Sequence, residues 1–343
     1  MAQIKLAFVG VGSMGQAAHL RNYCTLPACK VVALAEKRAR LGAEVARRFG
    51  VDRVYDDFEE MLTNEEIDGI VAIQQFEMHG VLVPRLLKKG VPVLTEKPLA
   101  ASFDQGQTIL NAVRQGAASL FLAYHKRSDP AVTYAKKTMQ ELAETGELGA
   151  LKYIRITMPP GDWSVAAFAS NVTTEENFES GSPVEVNQEF TTFVNYYIHQ
   201  VNLMRFLLGE DYRVVYADSK GITMTVESAS GVVGMLEMAP FETTSDWQES
   251  ALICYDRGWI RVDLPAPLVI DQAGRVTVYK SLPNASSTFS PTLKPWHAMR
   301  MQAANFLAAI RGESHPLCEA EEGLKDLEIA QNYLSLLSRA RQR

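Results

Sequence analysis

From Ile4 to about Tyr124 the chain alternates short apolar runs with stretches of helical period. "IKLAFVGVG", "VVALAEK", "GIVAIQQ", "VPVLTEK" and "LFLAY" read as strands. "SMGQAAHLRNYC", "RARLGAEVARRFG", "FEEMLTNE", "HGVLVPRLLKKG" and "SFDQGQTILNAVRQG" read as the helices between them. Near-continuous apolar strands separated by amphipathic helices predict a parallel sheet covered on both faces. Ligands of such sheets bind at the carboxyl ends of the strands.

The texture changes after Asp129-Pro130. A helix in "AVTYAKKTMQELAETGEL" leads to "LKYIRITMPP", and an irregular stretch runs from about Gly161 to Glu185. One long helix is predicted over 188–209. Alternating runs follow in "YRVVYADSK", "ITMTVES", "GVVGMLEMA", "SALICYDRGWIRVDL" and "RVTVYK", which predict a largely antiparallel sheet. "LPNASSTFSPTLKP" reads as a loop, with a helical end from Trp296. The expected division is a doubly wound α/β domain over 1–125 and an α+β domain over 126–343.

Composition changes this picture little. With 343 residues, 47% apolar and 22% charged, both domains have material for a core. A net charge of −6 argues against a nucleic-acid surface. No apolar run reaches the roughly 18 residues of a membrane helix. Cys24, Cys29, Cys254 and Cys318 show no metal spacing, and scattered free thiols suit a reducing cytoplasm, the expected location. No cluster of histidine, cysteine and carboxylate has metal spacing, so no metal is expected.

"FVGVGSMG" places Gly10, Gly12 and Gly15, with Ser13 and Met14 between them, after a strand and at the head of a helix. In this pattern the first glycine permits a tight turn, the second admits a pyrophosphate, and the third lets helix and strand approach. Glu36 ends the next strand, where an acidic side chain can accept from both ribose hydroxyls. Its charge opposes a 2′-phosphate and favours NAD. Lys37 and Arg38 follow directly and leave NADP open.

"GVPVLTEKPLA" ends a buried strand in Glu96-Lys97-Pro98. Proline cannot donate to a ladder, and two opposite charges at a strand end need a reason. Together with the glycine fingerprint, this triplet resembles the Gfo/Idh/MocA family of glucose-fructose oxidoreductase and inositol dehydrogenase. The resemblance continues through "YDDFEEML", "AYHKRSDPA" and "NFLAAIRGESHPLCEAEEGLKDLEIAQNYLSL", nearly the whole chain. It implies a Rossmann domain plus an α+β domain whose open sheet supplies substrate-facing residues. It also implies hydride exchange between a nicotinamide and a sugar, cyclitol or related alcohol. Glu96 and Lys97 would then lie beside the nicotinamide, with Lys97 bonded to the substrate oxygen and able to relay a proton.

"NYYIHQVNLMRFLLGE" stands where the family carries Asp, then His four later, then Asp three later; here the positions hold Asn195, His199 and Asn202. At these spacings the three are expected on one helix face. Neutral His199 is a suitable general base, and Asn195 can orient its ring. Neither amide stabilises imidazolium, and loss of a close charge partner is worth about 1–3 pKa units. That weakens His199 as a base or moves the proton work to Lys97, Tyr124 or Tyr197. A reductive direction tolerates the change better.

Further candidates are Gln74, Gln75 and His79 near the cofactor, and Lys126 and Arg127 for a substrate carboxylate or phosphate. Trp163 can stack on a sugar ring, or pack half-buried. The expected substrate is carbohydrate-like, including a nucleotide-linked sugar, and an exposed sheet face predicts a homodimer or homotetramer. A cofactor-binding sensor without turnover is the competing function, motivated by the two amides. Transfer within one tightly held cofactor is a third.

Overall fold

The computed structural model describes residues 2–116, 118–176 and 187–342. The chain divides into two compact units. The first comprises Met1–Tyr124, Ala166–Asn195 and Gln302–Leu327; the second comprises His125–Val165, Tyr196–Met301 and Glu328–Arg343. The first unit thus takes in two later segments besides the N-terminal stretch. Part of the irregular stretch expected up to Glu185 lies outside the described residues.

The first unit is built on six parallel strands: β1 (Ile4–Val9), β2 (Cys29–Ala35), β3 (Arg53–Tyr55), β4 (Gly69–Ala72), β5 (Val93–Thr95) and β6 (Leu120–Leu122). Their order is β3-β2-β1-β4-β5-β6. The reversal between β1 and β4 is the switch point at which doubly wound sheets open a crevice. The strands read as continuous apolar runs because helices cover both faces, and Leu6, Phe8, Leu34, Val71 and Leu94 are all buried. Phe306 joins this core edge-on to Phe121 at 4.9 Å and to Tyr23 at 6.4 Å. Burying such side chains stabilises by about 1.5–3 kcal/mol each.

The second unit holds an eight-stranded sheet: β7 (Leu151–Thr157), β8 (Tyr212–Ala217), β9 (Thr223–Ser228), β10 (Val233–Glu237), β11 (Glu249–Tyr255), β12 (Gly258–Leu264), β13 (Arg275–Leu282) and β14 (Ala285–Phe289). The order is β14-β13-β12-β11-β7-β10-β9-β8. Only the β7–β10 pair is parallel. Along β9 and β11 every second residue is buried, so one face packs inward and the other stays open. The helices Pro130–Thr145 and Ile198–Leu208 pack against it.

Two expectations need correction. The segment around Asn284 to Phe289 forms β14 rather than a loop. All five β14 residues are exposed, so main-chain pairing to β13 makes the strand without any apolar alternation to announce it. The helix expected over 188–209 is two helices, Gln188–Tyr196 and Ile198–Leu208, with Tyr197 as the cap of the second. Asn195 therefore lies in a different helix from His199 and Asn202.

Candidate functional site

In the first unit a cleft of about 490 Å³ opens at the carboxyl ends of β1, β2 and β4. Its floor is the turn after β1. Gly10 there has φ +86°, and a Cβ on it would lie 2.3 Å from Gln74 Nε2 and 2.4 Å from the Ile73 carbonyl. A Cβ on Gly15 would meet the Gly10 carbonyl at 2.9 Å. Protein atoms thus force these two glycines. Gly12 is different: a Cβ there meets only Arg38 Nη2 at 3.6 Å, so the space it leaves open faces the cleft. That opening suits a pyrophosphate laid on the backbone. Ser13 and Met14 line the same wall.

Glu36 closes the second wall. Its carboxylate accepts from the Val11 N–H at 3.1 Å, from Arg38 Nε at 2.8 Å and from Arg38 Nη2 at 3.0 Å. Burial opposes its charge, but these hydrogen bonds outweigh burial and hold the carboxyl below its usual range. Lys37, Arg38, Gln74 and Gln75 line the cleft with it. The residues present therefore fit a dinucleotide: a free backbone floor, an ionised acid for ribose hydroxyls and an apolar wall including Met78 and Val81.

One strand along the same sheet edge, Thr95 of β5 pairs in register with Ala72 of β4. Glu96 turns inward there, and its Oε1 lies 2.7 Å from His19 Nε2, both side chains buried. Burial resists its charge, but the bonds from His19 and the nearby Lys97 prevail and keep its carboxyl below the usual range. The Lys97-Pro98 peptide is cis. Lys97 Nζ donates to the main-chain oxygen of Asn195 at 2.6 Å. Asn195 lies at the end of the helix Gln188–Tyr196, among carbonyls that lack an intrahelical partner and attract a cation.

Two expected cofactor contacts are corrected. His79 is fully buried, with Nδ1 3.1 Å from the Pro98 carbonyl and 3.2 Å from that of Leu99. It braces the turn after Lys97 instead of reaching the cleft. Glu96, held by His19, faces the interior as well. Sequence reading missed His19, whose only signal was a polar residue among alanine and leucine in "GQAAHL".

In the second unit His199 is half-buried, its ring edge-on to that of His125 at 4.8 Å. Asn202 is buried and accepts from Arg127 Nε at 2.6 Å. Lys126 is buried and bonds both oxygens of Glu249. Glu249 also accepts from Gln200 at 3.0 Å. Burial pulls the Lys126 ammonium below its usual range despite that partner. Lys126 and Arg127 are thus corrected from substrate contacts to interior partners: a buried charge must be matched from within. Tyr197 donates to the Met238 carbonyl at 3.1 Å, and burial pushes it up to about 12, a poor range for proton transfer near neutrality. Tyr124 is buried, and Trp163 is half-buried with its carbonyl bonded by Leu268 N–H at 3.3 Å.

Among the described residues no group of three or more histidine, cysteine and acidic side chains could hold a metal ion, and no helix is long and apolar enough to cross a membrane. All four cysteines are free thiols.

Residues 4–124 match the family described as GFO_IDH_MocA, an oxidoreductase family with an NAD-binding Rossmann fold. Over those residues the chain is similar to the Gfo/Idh/MocA family. Its curated relatives include scyllo-inositol 2-dehydrogenase (NAD(+)) of Bacillus subtilis, 23% identical over 68% of this chain and 67% of that protein. Myo-inositol 2-dehydrogenase of Thermotoga maritima is 21% identical, over 69% of this chain and 63% of that protein. D-apiose dehydrogenase of Paraburkholderia graminis is 21% identical, over 97% and 88%. The match thus spans about two thirds of the length of the two inositol dehydrogenases. Among solved structures, an NAD binding oxidoreductase from Klebsiella pneumoniae superposes with a TM-score of 0.76 at 16% identity, covering 100% of this chain and 98% of that one. Levoglucosan dehydrogenase in complex with NADH gives 0.75 at 19%, over 99% and 98%. These solved structures share the fold of this chain over nearly its whole length.

Proposed function

We propose that this protein is an NAD-dependent dehydrogenase or reductase that exchanges hydride with a hydroxyl or keto carbon of a small carbohydrate or cyclitol. The observation that carries this reading is the placement of Lys97, held at 2.6 Å on the Asn195 main chain, one strand from the dinucleotide cleft. The relatives that act on inositols and apiose support the substrate class.

Gly10, Gly12 and Gly15 would carry the pyrophosphate and Glu36 the ribose hydroxyls, with Gln74 and Gln75 on the opposite wall. When bound, the nicotinamide supplies the hydride chemistry. Lys97 offers up to three donors, of which Asn195 takes one and a substrate oxygen takes another. An ammonium bonded to the oxygen stabilises the negative charge that develops there as hydride leaves an alcohol or adds to a ketone, so the same contact serves both directions. Within the second unit His199, its ring edge-on to that of His125 at 4.8 Å, is the candidate for accepting or returning a proton. Assembly into a dimer or tetramer through the open face of the second sheet is part of this reading. Val215 and Tyr216 of β8 and Val233 of β10 are exposed apolar residues of that sheet, and sedimentation velocity would test the assembly.

The test is a fluorescence titration with NADH and NADPH, followed by a turnover screen over inositols, aldoses and their keto forms. Saturable NADH binding and turnover of at least one compound are expected. Binding of neither dinucleotide would overturn the reading, and NADH binding without turnover across the panel would favour a sensor.

A further inference from the structure

The segment 171–176 of the first unit lies against the glycine turn through three side-chain bonds and against the helix Ala39–Phe49 through two. Asn171 Nδ2 donates to the Ser13 carbonyl at 3.1 Å, inside the glycine loop. Gln16 Nε2 bridges the carbonyls of Val11 and Val172, each at 3.0 Å, and Gln16 Oε1 accepts from Val172 N–H at 2.8 Å. Glu176 completes the attachment at the next turn. Its two oxygens accept from the main-chain N–H groups of Arg40 at 3.0 Å and Leu41 at 2.9 Å. Thr174 Oγ1 donates to the same carboxylate at 3.0 Å.

Arg40 and Leu41 open the helix Ala39–Phe49, whose cap residue Arg38 makes no capping bond with its side chain. The first N–H groups of a helix form a site for an anion, and such sites commonly take phosphate. This one stands two residues past Arg38 and four past Glu36, both of which line the cleft where the ribose of a dinucleotide is expected. The charge of Arg38 is also offset where it lines the cleft: its guanidinium is bonded to Glu36, and Glu176 adds a second negative charge in its surroundings.

Building on the dinucleotide reading above, we propose that Glu176 is a residue determining cofactor specificity. Its carboxylate occupies the N–H pair and offsets the Arg38 charge that would otherwise receive the 2′-phosphate of NADP. Glu36 and Glu176 form a double barrier, one acid at the ribose and one at the helix end. Lys37 and Arg38, which taken alone suit NADP, are thereby set to serve NAD. Sequence pattern could not reveal this, because Glu176 is 140 positions from Glu36.

The experiment is a titration of wild type and Glu176→Gln with NADH and with NADPH, at fixed ionic strength. Glutamine keeps one acceptor for the helix end and removes the charge. The ratio of the NADPH to the NADH dissociation constant should fall about tenfold in the variant, with the NADH constant within twofold of wild type. A merely structural role would weaken both dinucleotides together and leave the ratio unchanged, and that result overturns the proposal. The companion variant Glu176→Ala, checked for a cooperative melt, should lower the ratio at least as far; an unchanged ratio there also overturns it. Failure of the dinucleotide reading is distinct, since wild type would then bind neither compound.

Discussion

The ammonium of Lys97 bonds the main-chain oxygen of Asn195 at 2.6 Å, so the contact depends on where the helix Gln188–Tyr196 ends and not on which side chain position 195 carries. The amide in place of an acid therefore leaves this contact intact. Asn195→Ala should change kcat less than about fivefold, because general acid–base roles contribute about 10²–10⁴-fold and none is asked of this side chain here. Steady-state kinetics of the variant checks this. A loss above a hundredfold would return Asn195 to a direct role.

His19 and Glu96 are both buried and lie 2.7 Å apart. Removing the imidazole leaves a buried carboxylate with little beyond the Lys97 N–H. His19→Ala should destabilise by about 2–4 kcal/mol in denaturant unfolding. The folded pKa of Glu96 is depressed, so the stability it contributes is present above its unfolded value and is lost as pH falls through the folded one. The gap between wild type and variant should accordingly narrow in acid. A gap that widens there would contradict the assignment.

Asp129 behaves in the opposite sense. Burial raises it from 3.8 to about 6, although the N–H groups of Ala131 and Gly274 work against that rise. The folded state then holds a proton that the unfolded state releases, so stability is greatest at low pH and declines as pH rises from about 4 to 6. The full difference is on the order of 3 kcal/mol at pH 7. Asp129→Asn keeps an acceptor for the Ala131 N–H and removes the titration. Subtracting its melting curve from that of wild type across pH should isolate this slope; a flat difference would refute it.

Lys126 and Glu249 are buried partners in the second unit. Lys126→Met alone should cost about 3–5 kcal/mol by stranding the carboxylate, whereas adding Glu249→Gln should recover at least half. Equilibrium unfolding of the two variants measures the coupling. Equal losses in both would mean that the pair packs without interacting electrically.

The first sheet was legible because parallel strands buried on both faces must be apolar throughout, and the glycine spacing marks where β1 turns. Glu96-Lys97-Pro98 stood out for the complementary reason, as charge placed where burial forbids it without a partner. Residues whose meaning depends on distant partners were not legible. His79 reads as a ligand until its ring is found against the carbonyls of Pro98 and Leu99. Lys126 and Arg127 read as an anion site until Glu249 and Asn202 arrive from 123 and 75 residues away. The strand Ala285–Phe289 is wholly exposed, so no alternation reports it. The break at Tyr197 puts Asn195 and His199 on separate helices, which helical periodicity across the join conceals.

Lys97→Met tests the central claim most directly. Methionine keeps the length and apolar stem of the side chain and removes its donors. With a substrate found in the screen, kcat should fall by about 10²–10⁴-fold while the NADH dissociation constant stays within twofold. Undiminished turnover in this variant would show that Lys97 does not handle the reacting oxygen, and the catalytic account would fail.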